Sequence, residues 1–313
     1  MKKTILLFLL GSGFFLLSFK QEENITKEKL GELLFFDPIL SGDRSISCAS
    51  CHKPEFAFAD TTAYSKGVNG RLATRNTPSV MNVAAREALF WDGRAATLHE
   101  QALFPIQNVN EMNLPLAEAV KRLNESKKYK ALFYNVFKEY PTEQNLGLAI
   151  EAYENTLETS DTPNDRWLND EPGGLTEQQI RGRAIFRVKA KCFECHFSPD
   201  FTVDEFRNIG LFDGEKYNDS GRYLITKNKE DIGKFKVPGL RNVAITAPYM
   251  HDGSIKTLRD VIDYYDAPDK LIKNSIGRDS LLATPLHLTE GEKQDLEAFL
   301  HSLTDDRFVN HKK

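Results

Sequence analysis

The chemistry of this chain is indicated by a pentapeptide that occurs twice, as Cys48-Ala49-Ser50-Cys51-His52 and as Cys192-Phe193-Glu194-Cys195-His196. Two spaced cysteines followed at once by a histidine form the attachment site of a c-type haem. The thiols add to the haem vinyl groups and the histidine can ligate the iron. The two copies use all four cysteines of the sequence. The motif therefore predicts two covalent c-type haems, with electron transfer or redox catalysis as the function.

Three other uses of such cysteines fit this sequence less well. Paired Cys-x-x-Cys motifs can form a zinc site, but the pairs are then normally ~15–20 residues apart, whereas these pairs lie in opposite halves of the chain. A thioredoxin-like motif explains neither the second copy nor the histidines. A disulfide within each motif would close too small a loop to constrain the chain much.

The length and composition indicate the number of domains and the general class of protein. The chain has 313 residues, of which 41% are hydrophobic and 27% are charged, and its formal net charge is −4. This length allows two domains of ordinary size, and the composition is that of a soluble globular protein. The slightly acidic balance gives no reason to expect a nucleic-acid partner.

The N-terminus has the layout of a secretory signal over residues 1–20. Lys2 and Lys3 precede an apolar run from Ile5 to Phe19, which is shorter than the ~20 residues of a membrane span. Phe19 and Lys20 are poor neighbours for a cleavage site, so an uncleaved N-terminal anchor stays as the alternative. Either reading predicts export to the periplasm, where bacteria attach c-type haem.

The elements that must position the two motifs also recur. A Gly-x-x-apolar-Phe segment precedes each motif, at Gly31–Phe35 and Gly182–Phe186. An apolar-Glu-Ala-aromatic segment follows much later, at Ile150–Tyr153 and Leu296–Phe299, and a leucine stands four residues after each aromatic residue. Such spacing is typical of helices packed on a core. Unrelated amphipathic helices could share one such pattern, but here the order is the same in both halves.

Each half therefore predicts a cytochrome c-like domain, in which the first and last helices cross. A polar, turn-rich stretch from Thr159 to Gly174 separates the halves, and Thr176 is a candidate N-cap for the next helix. We expect a mainly α protein with long loops, divided into an N-terminal domain over residues 21–165 and a C-terminal domain over residues 166–313.

The middle of the first half contains candidate catalytic residues. Cleavage of a bound peroxide needs a base that takes a proton from one oxygen and returns it to the departing oxygen. Glu111 could be that base, the amide of Gln101 could assist it, and Trp91 could relay electrons through its indole ring. Considered singly, each also has an ordinary explanation, as a loop carboxylate, a surface amide and a core tryptophan.

Several further segments occur in a fixed order with the two motifs. They are Arg75-Asn76-Thr77-Pro78, Phe90-Trp91-Asp92-Gly93-Arg94, Gln101, Asn110-Glu111-Met112, Val237-Pro238-Gly239-Leu240-Arg241-Asn242 and Pro248-Tyr249-Met250-His251-Asp252-Gly253. Together they resemble the bacterial di-haem cytochrome c peroxidase family, which includes the MauG-type enzymes. The resemblance extends from about Leu30 to Leu303.

The resemblance implies a division of labour between haems that lie near a shared domain interface. The haem on Cys48, Cys51 and His52 would be the peroxidatic one, with Glu111 as its acid–base group and Gln101 as the helper. The haem on Cys192, Cys195 and His196 would receive electrons from a donor. Trp91 would lie between the two.

The resemblance also implies a calcium ion at the domain interface. Its protein ligands would be Asn76, Thr246 and Pro248, the last two through backbone oxygens, and ligation by oxygen alone suits calcium. His251 would lie near the second haem, in a propionate or interface role rather than as an iron ligand.

The chain departs from the family pattern at three places. Members that need reductive activation have a histidine before the Arg-Asn-x-Pro segment, but Lys66–Arg71 contains none, which predicts an open first haem. The methionine ligand of the second haem is replaced by Tyr265, an anionic ligand that should lower the potential. MauG-type enzymes resemble this chain in having a tyrosine there. The tryptophan that precedes the second motif in MauG-type enzymes is replaced by Ala190, which argues against oxidation of a protein's tryptophans.

These observations favour a periplasmic di-haem peroxidase that reduces hydrogen peroxide to water with electrons from a small c-type cytochrome or a similar donor. The alternatives are a MauG-like oxidase of a protein or organic substrate and a non-enzymatic di-haem electron carrier. Family members are often dimers, so a homodimer is an additional expectation.

Overall fold

The structure is a computed structural model that describes residues 25–309, so the predicted signal or anchor segment 1–20 lies outside the described residues. The α-helices are α1 (Lys27–Phe36), α2 (Leu98–Gln107), α3 (Leu116–Glu125), α4 (Lys127–Phe137), α5 (Glu143–Glu154), α6 (Pro163–Leu168), α7 (Glu177–Arg187), α8 (Tyr223–Thr226), α9 (Leu258–Asp266), α10 (Glu290–His301) and α11 (Asp306–Val309). The strands β1 (Phe206–Arg207) and β2 (Phe235–Lys236) pair antiparallel. The prediction of a mainly α protein is confirmed. Between residues 25 and 309, no helix combines the length and the apolar character that a membrane crossing requires.

Two helix pairs form the framework, α1 against α5 and α7 against α10. Each pair approaches through a glycine. A β-carbon added to Gly31 would collide with the carbonyl group of Ala149, and one added to Gly182 would collide with that of Asp295. Only glycine allows this approach, which explains why the repeated Gly-x-x-apolar-Phe segments begin with it.

The aromatic residues of the repeated segments pack in the same way in both halves. Phe35 meets Tyr153 edge-on, with ring centroids 5.1 Å apart and an interplanar angle of 61°. Phe186 meets Phe299 with a centroid distance of 5.2 Å and the same angle. The crossing helices predicted from the two repeated segments are therefore present in each half.

The closing helices end earlier than the apolar pattern suggests. α5 ends at Glu154 and α10 at His301, so Leu157 and Leu303 lie in the turns that follow. Both leucines are nevertheless buried. The pattern predicted their burial correctly but not their conformation, because a turn after a helix can continue its apolar face.

The polar stretch 159–174, expected to be turns, contains the short helix α6. Thr162 and Asp165 cap its first turn reciprocally, since the Thr162 hydroxyl accepts from Asp165 N at 3.2 Å and the Asp165 carboxylate accepts from Thr162 N at 3.0 Å. Pro163 occupies the first helical position, where its missing N–H is no loss. The next helix, α7, begins after Thr176 as predicted.

The glycine contact between α7 and α10 gives a stability test. We expect Gly182→Ala to lower the free energy of unfolding by about 1–3 kcal/mol, because the added methyl group forces the helices apart. Gly291→Ala is the matched control. Gly291 lies on α10 with no atom within 4 Å of an added β-carbon, so that variant should keep or slightly raise the stability. Chemical unfolding of the haem-loaded protein measures both, and equal stability of Gly182→Ala and wild type would contradict the packing argument.

Candidate haem sites

Each Cys-x-x-Cys-His motif forms a single 3₁₀ turn that closes on its first cysteine. In the first motif, Cys51 N and His52 N donate to the Cys48 carbonyl at 3.1 and 2.9 Å. In the second, Cys195 N and His196 N donate to the Cys192 carbonyl at 3.2 and 2.8 Å. The four cysteines, all within residues 25–309, form no disulfide bond. The turn brings two thiols and one imidazole to the wall of the same cavity in each half.

The two motif histidines are oriented by backbone carbonyl groups. His52 Nδ1 lies 3.0 Å from the carbonyl oxygen of Phe58, and His196 Nδ1 lies 2.9 Å from that of Phe201. A carbonyl only accepts, so Nδ1 carries the proton and Nε2 keeps the lone pair that a metal needs. Burial lowers the pKa of both rings, that of His196 to about 4, which keeps them neutral as ligation requires.

Phe58 and Phe201, which sequence reasoning missed, present these carbonyl groups from a rare backbone conformation. Their φ angles are 56° and 55°, in the left-handed region that side chains other than those of glycine, asparagine and aspartate seldom adopt. The same unusual conformation in both halves indicates that the carbonyl position matters. The spacing differs, with Phe58 six residues after His52 and Phe201 five residues after His196, so no repeated pattern in the sequence marked these residues.

The four thiols are not arranged as one zinc-binding set. Burial raises the pKa of Cys48 and of Cys192 to about 12, and that of Cys51 to about 11. The two pairs line different cavities, so the four sulfur atoms do not converge on one ion. A covalent haem in each cavity fits this arrangement.

The first cavity, with a volume of about 250 Å³, brings together the residues predicted to act on peroxide. Cys48, Cys51 and His52 line it together with Trp91, Gln101 and Glu111. Burial raises the pKa of Glu111, while a hydrogen bond from Asn108 opposes this rise. Asn108 Nδ2 donates to Glu111 Oε1 at 2.6 Å and so orients the carboxyl group. Sequence reasoning missed Asn108, although its position three residues before Glu111 in a turn was a usable signal.

The loop that lacks a histidine packs directly against the Glu111 segment. Val68 N donates to the Glu111 carbonyl at 2.8 Å, and a β-carbon at Gly67 would collide with the carbonyl groups of Asn110 and Glu111. Gly67 lines the first cavity, whereas Val68 and Asn69 do not. The loop therefore presents no side chain that could cap an iron there.

The second cavity, of about 230 Å³, contains the motif residues Cys192, Cys195 and His196 together with Tyr265 and His251. Tyr265 lies on α9, and burial raises the pKa of its hydroxyl group, with Tyr264 and the two thiols adding to the effect. Within residues 25–309 this hydroxyl group has no hydrogen-bond partner. His251 is buried and stacks on Phe235, with ring centroids 3.7 Å apart.

The three residues expected to bind calcium line the second cavity together. Asn76 Nδ2 donates to the Thr62 carbonyl at 3.1 Å, which leaves Oδ1 available to a cation. A cis peptide bond joins Ala247 to Pro248, and Thr246 is the residue before it. Calcium takes six to eight oxygen ligands, so these residues would need several waters to complete its shell.

The two cavities share one wall, and Trp91 is held within it. Its indole Nε1 donates to the Asn76 carbonyl at 2.8 Å, and its own carbonyl accepts from Lys236 N at 2.8 Å. The residues that line both cavities are Asn76, Thr77, Pro78, Ser79, Trp91, Lys236, Pro238, Gly239 and Arg241.

Glu154 is a second residue that sequence reasoning missed. It lines the first cavity, is 4% exposed, and one of its carboxylate oxygens has no hydrogen-bond partner. Burial raises its pKa to about 8, so the group is largely neutral at pH 7. Leu300, which stands directly after the matching aromatic residue in the second half, lines the second cavity. The first cavity is thus made more polar at a matching position.

Comparison with known proteins agrees with this geometry. Residues 25–173 match the di-haem cytochrome c peroxidase family. The chain is 37% identical to the methylamine utilization protein MauG of Methylophilus methylotrophus, over 89% of this chain and 82% of that protein. It is 34% identical to the cytochrome-c peroxidase IdrP1 of a Pseudomonas species, over 90% of this chain and 82% of that protein.

Among solved structures, a MauG-like protein associated with microbial copper homeostasis superposes with a TM-score of 0.83 at 34% identity, covering 93% of this chain and 92% of that one. Each half has a cavity with a haem attachment motif, and the relatives include both a MauG protein and a cytochrome-c peroxidase. Both findings agree with the resemblance seen in the sequence. The chain belongs to the di-haem cytochrome c peroxidase family.

Proposed function

We propose that the protein is a periplasmic di-haem peroxidase that reduces hydrogen peroxide to water with electrons from a small c-type cytochrome or a similar donor. The observation that carries the proposal is the half-buried Glu111, oriented by Asn108 on the wall of the cavity that contains Cys48, Cys51 and His52. The proposal includes two cytochrome c-like domains, residues 21–165 and 166–313, and assigns peroxide chemistry to the first.

A haem bound in the first cavity would supply the iron that binds peroxide and delivers electrons to it. Glu111 takes a proton from one oxygen of peroxide and gives it to the other, departing oxygen, which leaves as water. Two electrons and two protons in total convert one peroxide into two waters. Gln101, on α2, would hold the peroxide in line with the carboxyl group. Because burial raises the pKa of Glu111, its protonated and ionised forms are closer in free energy than for an exposed carboxyl group.

The second cavity would receive the electrons. His196 and Tyr265 would bind the second iron, and Trp91 in the shared wall would lie on the route between the two haems. His251 would border the second haem without ligating it. A calcium ion held by Asn76, Thr246 and Pro248 would brace this region. A homodimer completes the proposal.

The alternative enzyme is a MauG-like oxidase that acts on a protein or an organic substrate. The MauG relative and the presence of Tyr265 favour it. Ala190, which is 5% exposed, argues against it, because no tryptophan stands there to pass oxidising equivalents to a partner. A plain electron carrier would have two closed haems and no use for Glu111.

The loop around Gly67 yields a spectroscopic prediction that separates the peroxidase from the carrier. The ferric protein should contain one open haem and should react with peroxide at once, without prior reduction, because Val68 and Asn69 do not reach the first cavity. Electronic absorption and stopped-flow mixing measure this. Two six-coordinate low-spin haems that are inert until half reduced would contradict it.

Glu111→Gln tests the proton transfer itself. The amide keeps the size of the side chain but cannot take a proton, so peroxide turnover should fall by roughly 10²–10⁴-fold. The measurement is the steady-state rate with reduced cytochrome c, with haem content and potentials checked. Glu194→Gln, in an exposed position of the second motif, is the control and should turn over normally. Wild-type turnover in Glu111→Gln would contradict the role of Glu111 as the acid–base group, and no peroxide turnover in the wild type would favour the electron carrier.

Tyr265→Met tests the second haem. A thioether favours ferrous iron more than a phenolate does, so the potential of that haem should rise while the first stays nearly unchanged. Spectroelectrochemical titration measures both. Tyr264→Phe is the matched control, since Tyr264 instead donates to the Ile209 carbonyl at 2.7 Å. If Tyr265→Met changes neither spectrum nor potential, Tyr265 is not the ligand.

A further inference from the structure

The cationic side chains around the two cavities are almost all paired. Each of the five arginines that line a cavity lies 2.6–3.4 Å from an aspartate oxygen. These residues are Arg75, Arg86, Arg94, Arg207 and Arg241. Lys191 lines the second cavity but is exposed to solvent. Their charges are therefore already neutralised or hydrated.

Lys236 is different from all of them. It lies on β2 and lines both cavities. Within residues 25–309 its Nζ has no acceptor at hydrogen-bonding distance. Its backbone N–H is bonded to the Trp91 carbonyl, so the residue is fixed in the shared wall.

The surroundings of Lys236 do not compensate its charge. Burial lowers its pKa to about 8, while the nearby Asp204 opposes this effect and Arg86 adds to it. Asp204 is paired with Arg86 at 3.4 Å, and its other oxygen has no partner, so it does not bond Lys236 either. Lys236 is half-buried, and an ammonium group partly withdrawn from water is stabilised by a hydrogen-bonding anion, so a carboxylate in either cavity would complete its environment.

A haem carries that anion. Each haem ring has two propionate carboxylates. They are separate from the vinyl groups that react with the cysteine thiols, so they stay available to bind a cation. An ammonium group has three N–H donors and can bind more than one carboxylate. Charge-assisted hydrogen bonds of this kind are among the stronger ones in proteins.

We propose that Lys236 binds propionate groups of both haems at the shared wall and thereby couples the two haem potentials through one positive charge. The inference rests on the proposed function, since it requires a haem in each cavity. Lys236 is a positioning residue and does not touch the peroxide. Its charge favours the reduced form of both irons, so its loss should lower both potentials together.

The test is a spectroelectrochemical titration of Lys236→Gln and Lys236→Met, each with two haems confirmed by mass spectrometry. The midpoint potentials of both haems should fall in the same variant. Lys234→Gln is the matched control. Lys234 stands two residues earlier, bonds Asp231 at 3.1 Å and lines neither cavity, so both potentials should stay. A shift of only one haem, or of neither, overturns the inference.

Lys236→Arg keeps the charge and provides a second measurement if the neutral variants do not fold. Both potentials should stay near the wild-type values, while the propionate carboxylate bands in redox-difference infrared spectra should move because the donor geometry changes. Unmoved bands overturn the inference. A wild-type protein with fewer than two haems contradicts the proposed function instead, so the two failures are distinguishable.

Discussion

A hydrogen bond between Trp91 and Lys236 joins the two halves of this protein at the wall that the two cavities share. The indole donates to the Asn76 carbonyl, and the Trp91 carbonyl accepts from Lys236, which belongs to the second half of the chain. An ion pair between the halves reinforces this contact. Arg75 bonds Asp219 of the second half at 2.7 Å, and it also bonds Asp92 of its own half at 2.6 Å. The distance between the cavities is thereby fixed, and electron transfer depends steeply on distance.

The two halves use one scaffold for different purposes. Both have a glycine-mediated helix crossing, an edge-on aromatic pair and a motif histidine bonded to a carbonyl group in a left-handed turn. The difference lies in the polar residues of the walls. The first cavity has Glu111 and Glu154, whereas the second has Tyr265 and, after its own aromatic residue, Leu300. A buried carboxyl group therefore follows the aromatic residue of the closing helix in the first cavity, and an apolar side chain follows it in the second.

Most charged side chains on the walls of the two cavities are paired within this chain. The arginines of the cavity walls are neutralised by aspartates of this chain, and such pairs are costly to break because the remaining charge stays buried. Glu154 has a carboxylate oxygen without a hydrogen-bond partner and lines the first cavity, and Lys236 lines both cavities without an ion-pair partner in residues 25–309. Polar groups unsatisfied in the protein alone are therefore informative about its cofactors.

The sequence by itself determined the covalent chemistry and the repeated frame. A c-type haem motif is local, and helix pairs are indicated by the spacing of Gly31, Phe35 and Tyr153 and of their counterparts in the second half. The prediction that Glu111 lies beside the first motif depended on the order of the segments along the chain, not on a local pattern. Helix ends at Glu154 and His301 and the capped helix α6 were missed, because apolar spacing continues through turns and a short helix depends on its caps.

Only the tertiary structure decided which residues meet across long sequence separations. The Trp91 carbonyl meets Lys236 N, and Arg75 meets Asp219, because distant segments pack together. The burial of Glu154 likewise follows from packing. The isolation of Lys236 could not be read from the sequence at all. Whether a lysine is hydrated, paired or left alone depends on every neighbour that folding brings to it, and no local pattern records those neighbours.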